Sequence, residues 1–494
     1  MMFKKGDSMN SKKISLLLLL AVGSGNVLAD TDATNCASHV YIPEGESENL
    51  AWINLLTYAE RVRNHSDKKY FFSSLTLYKQ TRHSDKFASS LLLGDGNNTL
   101  SVAQGGGVGV VNSLELGLST QNSNNPFAST LTIKPQRKQF TYLGNVYVNL
   151  SDWWCGLWGD FTWGVTNAHH RLNCCETSTT PSTLCPGITS VVDALSNPLL
   201  ESSKFYCDNC RDGKRRTGFE DVQLRLGYDY TWCDENHIGI YAIGTIPGGR
   251  TPTAEFVFEP LVASRHASIG VGFRGDYSLD WCGCDENTSL LLMTDFNYRY
   301  VLKHKECRTF DFLPNGPFSR YILVVDQSTP GLPFPAANIT TSKVEISPRS
   351  TIQWWLGLNY EYCDWDFEVG YNLFWRQKEQ LKQDCIPLPT TVGIYNLNGC
   401  GLSPITASNA TMTNSGTADA VFVGISSSNI NVASGLAGRL LTNKVYGALS
   451  WTGCACDCFE WMAGLGGSYE FVVNHDKCNG LNNWAVFAKW AVGF

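Results

Sequence analysis

The last segment of the chain decides the fold, and it reads Asn483-Trp484-Ala485-Val486-Phe487-Ala488-Lys489-Trp490-Ala491-Val492-Gly493-Phe494. Apolar and aromatic side chains occupy every second position from Trp484 to Phe494, and small or charged ones fill most of the others. Phe487 is the exception, a large apolar residue on the second face. Because successive side chains of a β-strand point to opposite sides, this period of two predicts a strand with two distinct faces.

The same alternation recurs in pairs of segments that meet at tight turns. These pairs are 138–150 with 157–168, 221–232 with 238–244, 269–281 with 290–303, 352–362 with 365–375, and 445–451 with 459–471. Further strands are expected near 70–80 and 105–120. Strands of roughly 9–14 residues match a tilted crossing of the hydrocarbon layer. The pattern predicts an all-β chain, a transmembrane antiparallel β-barrel. Single-chain barrels have even strand numbers, so we expect about 14 strands, within a range of about 12–16.

A soluble antiparallel sandwich is the alternative, because its strands also alternate. Strands of this length with Trp and Tyr on the apolar face would overfill a two-sheet core about 10 Å thick. The composition also favours a barrel. Charged residues make up only 17% and aromatic residues 12%, and there are 45 glycines. The net charge of −7 disfavours a nucleic-acid partner, which would require a basic surface.

The N-terminus has the pattern of an export signal. Four lysines precede the apolar run 14–22, and small residues lead to Ala29. We therefore expect a signal peptide over 1–29, an N-terminal periplasmic or plug segment over 30–69, and the barrel over 70–494. A retained membrane anchor is the alternative, but the run is too short to span a bilayer.

The candidate lumen residues lie on the strand faces that carry charged and small side chains. Basic and acidic side chains alternate there with apolar ones, and the candidates are Arg225, Asp229, Arg274, Asp276, Asp295, Arg299, Glu361, Glu368, Arg376 and Lys489. Opposed charges across a water-filled pore create a transverse field that favours small hydrated solutes. Alternatively, these groups pair as salt bridges that brace the wall. The sequence leaves both roles open.

Short motifs and the chain end resemble one family. Thr231-Trp232-Cys233-Asp234, the run 280–285 with its two cysteines, and the terminal Phe494 resemble the cysteine-rich major outer-membrane porins of chlamydia-like bacteria. The resemblance covers the architecture of most of the chain, but only short stretches of amino-acid sequence. It implies a diffusion porin that also stiffens the envelope through disulfides between neighbours, with Phe494 as the assembly signal.

Known barrels also imply an orientation, in which the last strand ends on the periplasmic side. The tight turns then lie in the periplasm, at 152–156, 233–236, 282–287, 363–364 and 453–458. The long connections lie outside the cell, at about 171–216, 247–263, 305–347 and 381–440. Whether 401–440 folds inward as a constriction stays open.

Eighteen cysteines in an exported chain predict disulfides. On this topology the periplasmic rim carries Cys155, Cys233, Cys282, Cys284, Cys363, Cys454, Cys456 and Cys458, with Cys36 on the same side. The external loops carry Cys174, Cys175, Cys185, Cys207, Cys210, Cys307, Cys385 and Cys400, together with Cys478. The rims are about 25 Å apart, whereas a disulfide needs Cα atoms within about 7 Å, so the two sets cannot pair with each other. Each set has an odd number, and a leftover cysteine suggests a bond to another chain.

No enzyme signature accompanies these features. The histidines near strand ends, such as His169 and His170, have no recognisable nucleophile beside them. The pair Cys207/Cys210 and the triplet 454–458 are better explained by crosslinking than by zinc. We therefore expect no catalytic site, metal or cofactor.

Two functional hypotheses follow. The first is an outer-membrane porin for passive diffusion of small hydrophilic solutes, with a disulfide-crosslinked structural role. The alternative is a non-conducting structural or adhesion barrel of the cell surface. In either case the expected location is the bacterial outer membrane, and the expected partners are its lipid and disulfide-linked copies or other cysteine-rich envelope proteins.

Overall fold

The computed structural model describes residues 68–494 apart from gaps at 121–123, 179, 184–187, 208–212, 233–235, 280–287, 327, 329–332, 383–385, 395–424, 455–458 and 474–475. The predicted signal peptide and nearly all of the segment 30–69 lie outside the described residues. In the described part of the chain, no helix is both long and apolar enough to cross a membrane.

Twelve antiparallel strands form a closed barrel in the described residues. They are β1 (Tyr70–Thr81), β2 (Gln136–Asn149), β3 (Leu157–Arg171), β4 (Val222–Trp232), β5 (Asn236–Ile246), β6 (Ser268–Ser278), β7 (Thr288–Val301), β8 (Arg349–Tyr362), β9 (Trp365–Arg376), β10 (Leu440–Cys454), β11 (Glu460–Val472) and β12 (Asn483–Gly493). Each strand pairs with its neighbours in the chain, and β1 pairs with β12 from Phe71 opposite Gly493 to Thr81 opposite Asn483. That last pairing leaves the sheet without a free edge.

The predicted fold class is therefore confirmed, and the strand number lies at the low end of the expected range. Twelve of the predicted strand segments are the barrel strands, whereas the strand predicted over 105–120 is wrong. Only Val110–Asn112 is extended there, followed by a 3₁₀ turn at Ser113–Leu116. Gly105, Gly106 and Gly109 all have positive φ, which breaks an extended path. Val111, Leu116 and Leu118 of this stretch pack in a hydrophobic core formed by residues outside the barrel strands.

One further strand, Lys214–Phe219, continues the line of β4. It pairs with the end of β3, from Val165 opposite Phe219 to His170 opposite Lys214. The pairing of β3 with β4 proper starts at Thr162 opposite Gln223, a register shifted by one residue. Residues 220–221 thus form a bulge, and we refer to Lys214–Phe219 as the β4 extension.

The two faces of the wall differ as the alternation predicts. Outward residues such as Leu465, Ile240 and Val369 are well exposed, which matches a lipid-facing surface. On β12, Trp490 faces outward and Phe487 is buried on the inward face. Inside, Phe487 belongs to an apolar cluster with residues from β1, β2, β7, β8, β10 and β11.

The connections at one end of the barrel form a folded cap. Short turns join the strands at the other end, and the cap comprises the described residues of 82–135, 172–213, 247–267, 302–348, 377–439 and 473–482. All six segments contribute to a single hydrophobic core, which includes Phe87, Leu195, Phe258, Phe318, Ile430 and Leu481. Because the segments leave the barrel all around its rim, the shared core links the connections of all twelve strands at that end.

The cap also contains short strands and helices. A four-stranded sheet joins Thr99–Ala103, Val110–Asn112, Ala128–Thr132 and Cys175–Ser178. Smaller sheets pair Thr341–Ser347 with His304–Thr309 and Gln380–Leu381, Leu323–Asp326 with Phe334–Pro335 and Val392–Ile394, and Asp311–Phe312 with Ile430–Asn431. The helices are Asp85–Ser90, Val191–Ser196 and Ala337–Thr340, and short 3₁₀ turns lie at Ser319–Tyr321, Ser427–Asn429 and Val432–Gly435.

A buried ionic cluster ties three cap segments together. His266 Nε2 lies 2.9 Å from Glu306 Oε1, and Arg308 Nη2 lies 2.6 Å from Glu306 Oε2. Arg308 also contacts Glu379, which accepts a 2.7 Å hydrogen bond from the Ala437 amide. Burial raises the pKa of Glu306, but the charge of Arg308 and the hydrogen bond from His266 outweigh it and lower that pKa to about 2. Burial lowers the pKa of His266. The hydrogen bond to Glu306 and the negative charge of Glu306 have a larger, opposite effect, so the pKa of His266 is raised.

Candidate functional site

The interior of the barrel is the candidate site. Strand alternation places all ten predicted lumen residues on the inward face. Seven of them are buried, and they are Arg225, Arg274, Asp295, Arg299, Glu368, Arg376 and Lys489. Asp229, Asp276 and Glu361, which lie nearer the turns, are only partly buried. Most of these charges therefore contact other side chains rather than open water.

The first group of charges joins β3, β4, β5 and β7. Arg225 on β4 lies 2.6 Å from Asp160 on β3 and 3.4 Å from Asp295 on β7. Asp295 also accepts a 2.6 Å hydrogen bond from the Tyr241 hydroxyl on β5. Two strands, β5 and β6, separate β4 from β7. The ion pair between Arg225 and Asp295 therefore passes over inward positions of β5 and β6. Gly272 of β6 leaves the space there, because a Cβ on it would lie 2.2 Å from the Tyr241 ring.

A neighbouring group lies closer to the turns and centres on Asp229. Its carboxylate forms an ion pair with Arg274 and accepts a 3.0 Å hydrogen bond from the Trp158 indole. The Arg274 guanidinium lies 3.7 Å from the centre of the Trp158 ring, a cation–π distance. Trp158 in turn lies against Gly227, where a Cβ would come within 2.3 Å of the ring.

The second group lies on the other side of the interior. Lys489 Nζ on β12 is 2.6 Å from Glu368 Oε2 on β9, with β10 and β11 between them. Glu368 also accepts a 2.8 Å hydrogen bond from the Tyr446 hydroxyl, and Tyr446 stacks with Trp355. We term these groups the two ionic belts of the interior: the first and neighbouring groups on β3–β7 form one belt, and the group centred on Lys489 and Glu368 forms the other. They narrow it from opposite sides.

Three of the four remaining predicted residues have separate partners. Asp276 lies 3.4 Å from His237, and Glu361 accepts a 3.0 Å hydrogen bond from Ser289. Arg376 lies 3.4 Å from the carbonyl oxygen of Gly438, at the base of the cap. Arg299 is buried on β7.

Sequence reasoning missed several members of the belts. Asp160, Trp158, Tyr241 and Tyr446 all lie on the inward face. The parity of each strand would have found Asp160, because it alternates with the outward Phe161. The aromatic members were harder to assign, because large aromatic side chains are expected to face lipid. Their inward orientation becomes clear only when the strand is aligned with the glycine beside the ring on the neighbouring strand.

The cysteines are distributed over both ends of the barrel. Cys155, Cys363 and Cys454 lie at the turn end as exposed free thiols. At the cap end Cys174 and Cys207 form a disulfide with a Cα–Cα distance of 5.3 Å, and Cys478 is also disulfide-bonded. Cys175 and Cys307 are free. The other candidates lie outside the described residues, namely Cys185, Cys210, Cys233, Cys282, Cys284, Cys385, Cys400, Cys456 and Cys458. Within the described residues, no three metal-binding side chains come together.

Phe494 lies at the seam where the barrel closes. Its amide donates to the Tyr70 carbonyl at 3.0 Å, and the Tyr70 amide donates back at 3.1 Å. The two rings lie 6.1 Å apart, and the Phe494 side chain is 57% exposed on the outward face. The terminal residue thus extends the β1–β12 ladder at the lipid-facing surface.

Comparisons with known proteins give architectural likeness only. No family model matches the chain, and no curated protein matches it. Among solved structures, an outer-membrane channel from Pseudomonas putida F1 is similar at 9% identity and a TM-score of 0.35, covering 87% of this chain and 97% of that one. The translocator domain of the autotransporter NalP from Neisseria meningitidis has 6% identity and a TM-score of 0.31, covering 91% and 96%. A FadL homologue of Pseudomonas aeruginosa has 8% identity and a TM-score of 0.28, covering 94% and 98%.

The location follows from the barrel itself. A closed β-barrel satisfies all its backbone hydrogen bonds within lipid, and the outward band of Trp, Phe, Leu and Ile suits the hydrocarbon layer. The chain is a bacterial outer-membrane β-barrel.

Proposed function

We propose that this barrel is a narrow outer-membrane channel for small hydrophilic solutes, related to the cysteine-rich major porins of chlamydia-like bacteria. The observation that supports it is the pair of ionic belts inside a wall whose outer face is apolar. Charges within a membrane protein usually mark an ion or solute pathway. A barrel that only braced the envelope would be at least as stable with apolar residues of similar volume in these positions.

The belts also suggest what the channel admits. Arg225 and Asp295 on one side, and Lys489 and Glu368 on the other, set opposite charges against each other across a small distance. Polar and charged walls of this kind favour small polar solutes and ions, while the close packing excludes larger ones. We therefore expect a low conductance and a steep dependence on solute size.

The orientation remains part of the proposal. We place the turn end in the periplasm and the cap outside the cell, because outer-membrane barrels have short periplasmic turns and longer external loops. The exposed thiols of Cys155, Cys363 and Cys454 would then be available for disulfides to neighbouring envelope proteins.

A non-conducting structural or adhesion barrel is the second candidate. The near-complete burial of Lys489, Glu368 and Arg225 favours it, because charges that are packed against each other leave little room for water. Conductance distinguishes the two functions directly.

The test is single-channel recording on the full chain in planar bilayers. We expect small stepwise openings, and larger steps from the variant Lys489→Ser/Glu368→Ser, which shortens both members of one belt. The control is Lys303→Ser/Glu345→Ser, which removes an exposed ion pair of the cap. Absence of steps from the parent and from the belt variant, in preparations that fold to a heat-modifiable barrel, would establish the second candidate.

The crosslinking role has its own test. Envelopes prepared with a thiol-blocking reagent should show disulfide-linked species on non-reducing gels. These should diminish when Cys155, Cys363 and Cys454 are all replaced by serine, whereas serine at Cys175 and Cys307 should have less effect. A sharp monomer band under non-reducing conditions contradicts the intermolecular bonds.

A further inference from the structure

A row of buried polar side chains crosses the inner wall between the ionic belt on β3–β7 and the cap. Gln223 on β4 is paired in register with Thr245 on β5, and Thr245 with Ser268 on β6. Arg299 on β7 is paired with Gly270, two residues from Ser268 on the same face. Strand alternation turns the side chains of Gln223, Thr245, Ser268 and Arg299 inward, and each residue is between 1% and 5% exposed. We refer to these four residues as the inner row.

Within the described residues, the side chains of the inner row take part in no hydrogen bond or ion pair. The buried atoms without a partner are Gln223 Oε1, the hydroxyl oxygens of Thr245 and Ser268, and Arg299 Nε and Nη1. Because buried polar atoms in proteins nearly always have a hydrogen-bonding partner, four such side chains on adjacent strands indicate a place for a polar molecule. No member of the inner row has to give up a described hydrogen bond in order to bind it.

Arg299 gives the inner row a positive charge. A Cβ on Gly270 would lie 2.8 Å from Arg299 Cγ, so the arginine side chain extends over this glycine of β6. A guanidinium stays protonated when it is buried, and a water molecule would not offset its charge, so an anion is the partner that suits it. The charge of Arg299 acts on Asp221, in the bulge before β4. Among the described residues, however, that carboxylate accepts its hydrogen bonds from Gly248 and Ser264 instead.

We propose that the inner row binds a small hydroxylated carboxylate, such as a hydroxy acid, inside the barrel. The planar guanidinium of Arg299 presents its N–H groups in a fork that matches a carboxylate. The hydroxyls of Thr245 and Ser268 and the amide of Gln223 both donate and accept, which suits the hydroxyl groups of such a solute. The inference deepens the channel function proposed above, on which it rests for the role of the bound solute.

The experiment is isothermal titration calorimetry on the full chain, folded in detergent, at fixed ionic strength. The probes are lactate, lactamide and chloride. Lactamide has the hydroxyl of lactate without its charge, and chloride has the charge without the hydroxyl. Lactate should bind saturably to the parent, and the other two probes should bind about tenfold more weakly or less.

Variants of the inner row test which side chains hold the solute. Arg299→Met should weaken lactate binding on the order of 10- to 100-fold, and Ser268→Ala should weaken it about 2- to 10-fold. Arg299→Met should still fold as well as the parent, because it removes a buried cation that has no described ion-pair partner. The matched control is Ser450→Ala, which removes another buried hydroxyl without a described partner, on β10, and should bind lactate like the parent.

Three results would overturn the site. These are no saturable binding of lactate, binding of lactamide or chloride as tight as that of lactate, or lactate binding by Arg299→Met and Ser268→Ala that equals binding by the parent. Calorimetry requires no conduction, so it separates this inference from the channel function. Lactate binding by a barrel without conductance steps would overturn the channel and support the site, whereas conductance without lactate binding would overturn the site alone.

Discussion

Replacing Lys489 by methionine should strongly destabilise the barrel, because it leaves a buried carboxylate without its cation. The side chains of Lys489 and Glu368 are 0% and 1% exposed, and their charged atoms lie 2.6 Å apart. At that distance and an effective dielectric constant of about 20, their attraction is about 6 kcal/mol, part of which desolvation of both groups offsets. Loss of one partner of a buried pair typically costs about 3–5 kcal/mol, and we expect Lys489→Met to fall in that range.

The double variant distinguishes the ion pair from simple packing. In Lys489→Met/Glu368→Gln no charge is left unpaired, and the glutamine oxygen can still accept from Tyr446. We expect it to recover most of the loss, giving a coupling free energy of about 2–3 kcal/mol between the two sites.

The assay is equilibrium unfolding of the chain in lipid vesicles with guanidinium chloride, followed by tryptophan fluorescence. The parent, Lys489→Met, Glu368→Gln and the double variant complete the cycle, and their m-values must agree for the comparison to hold. If Lys489→Met costs less than about 1 kcal/mol, or if the two single losses simply add, the belts do not hold the barrel in the way described.

Other predictions concern packing, pH and closure. Gly227→Ala should destabilise the barrel by about 1–3 kcal/mol because a Cβ there collides with an indole, whereas Gly244→Ala, with nothing within 4 Å, should be near neutral in the same unfolding assay. The His266–Glu306 pair should stabilise the cap most between pH 4.5 and pH 6.5, the unfolded-state pKa values of Glu306 and His266. Hydrogen-exchange protection of the cap should therefore fall as the pH rises through the raised pKa of His266. The variant His266→Gln should lack this pH dependence. Phe494→Ser should reduce the yield of heat-modifiable barrel in the outer membrane, and an unchanged yield would refute the assembly role.

The strands were predictable because each one has its own alternating pattern. The alternation in β12 indicates a strand with two faces without knowledge of its partner strands. Phe487 is visible in the same pattern as the one large apolar residue on the second face. The error at 105–120 arose because apolar residues at short spacing indicate burial but not where they are buried. Three glycines with positive φ redirect that stretch into the cap.

The contacts of the interior were less predictable. Strand parity indicated that Arg225 and Lys489 face inward, but not that they bridge to strands three positions away around the barrel. Such contacts depend on barrel curvature and on glycines such as Gly272 that make room for a ring. The cap was missed for a related reason. Its segments are rich in turn residues and read as coil, and their apolar residues form a core only when six separate segments converge.

That convergence limits how the cap can change. A typical barrel loop can lengthen or shorten by itself, but here every segment supplies apolar side chains to one shared core. A deletion in any one would expose its neighbours to water, so we expect surface variation to be confined to the rims of the segments, with insertions tolerated there and excluded from the shared centre. The same interdependence implies that the six segments acquire their folded structure together and not one by one.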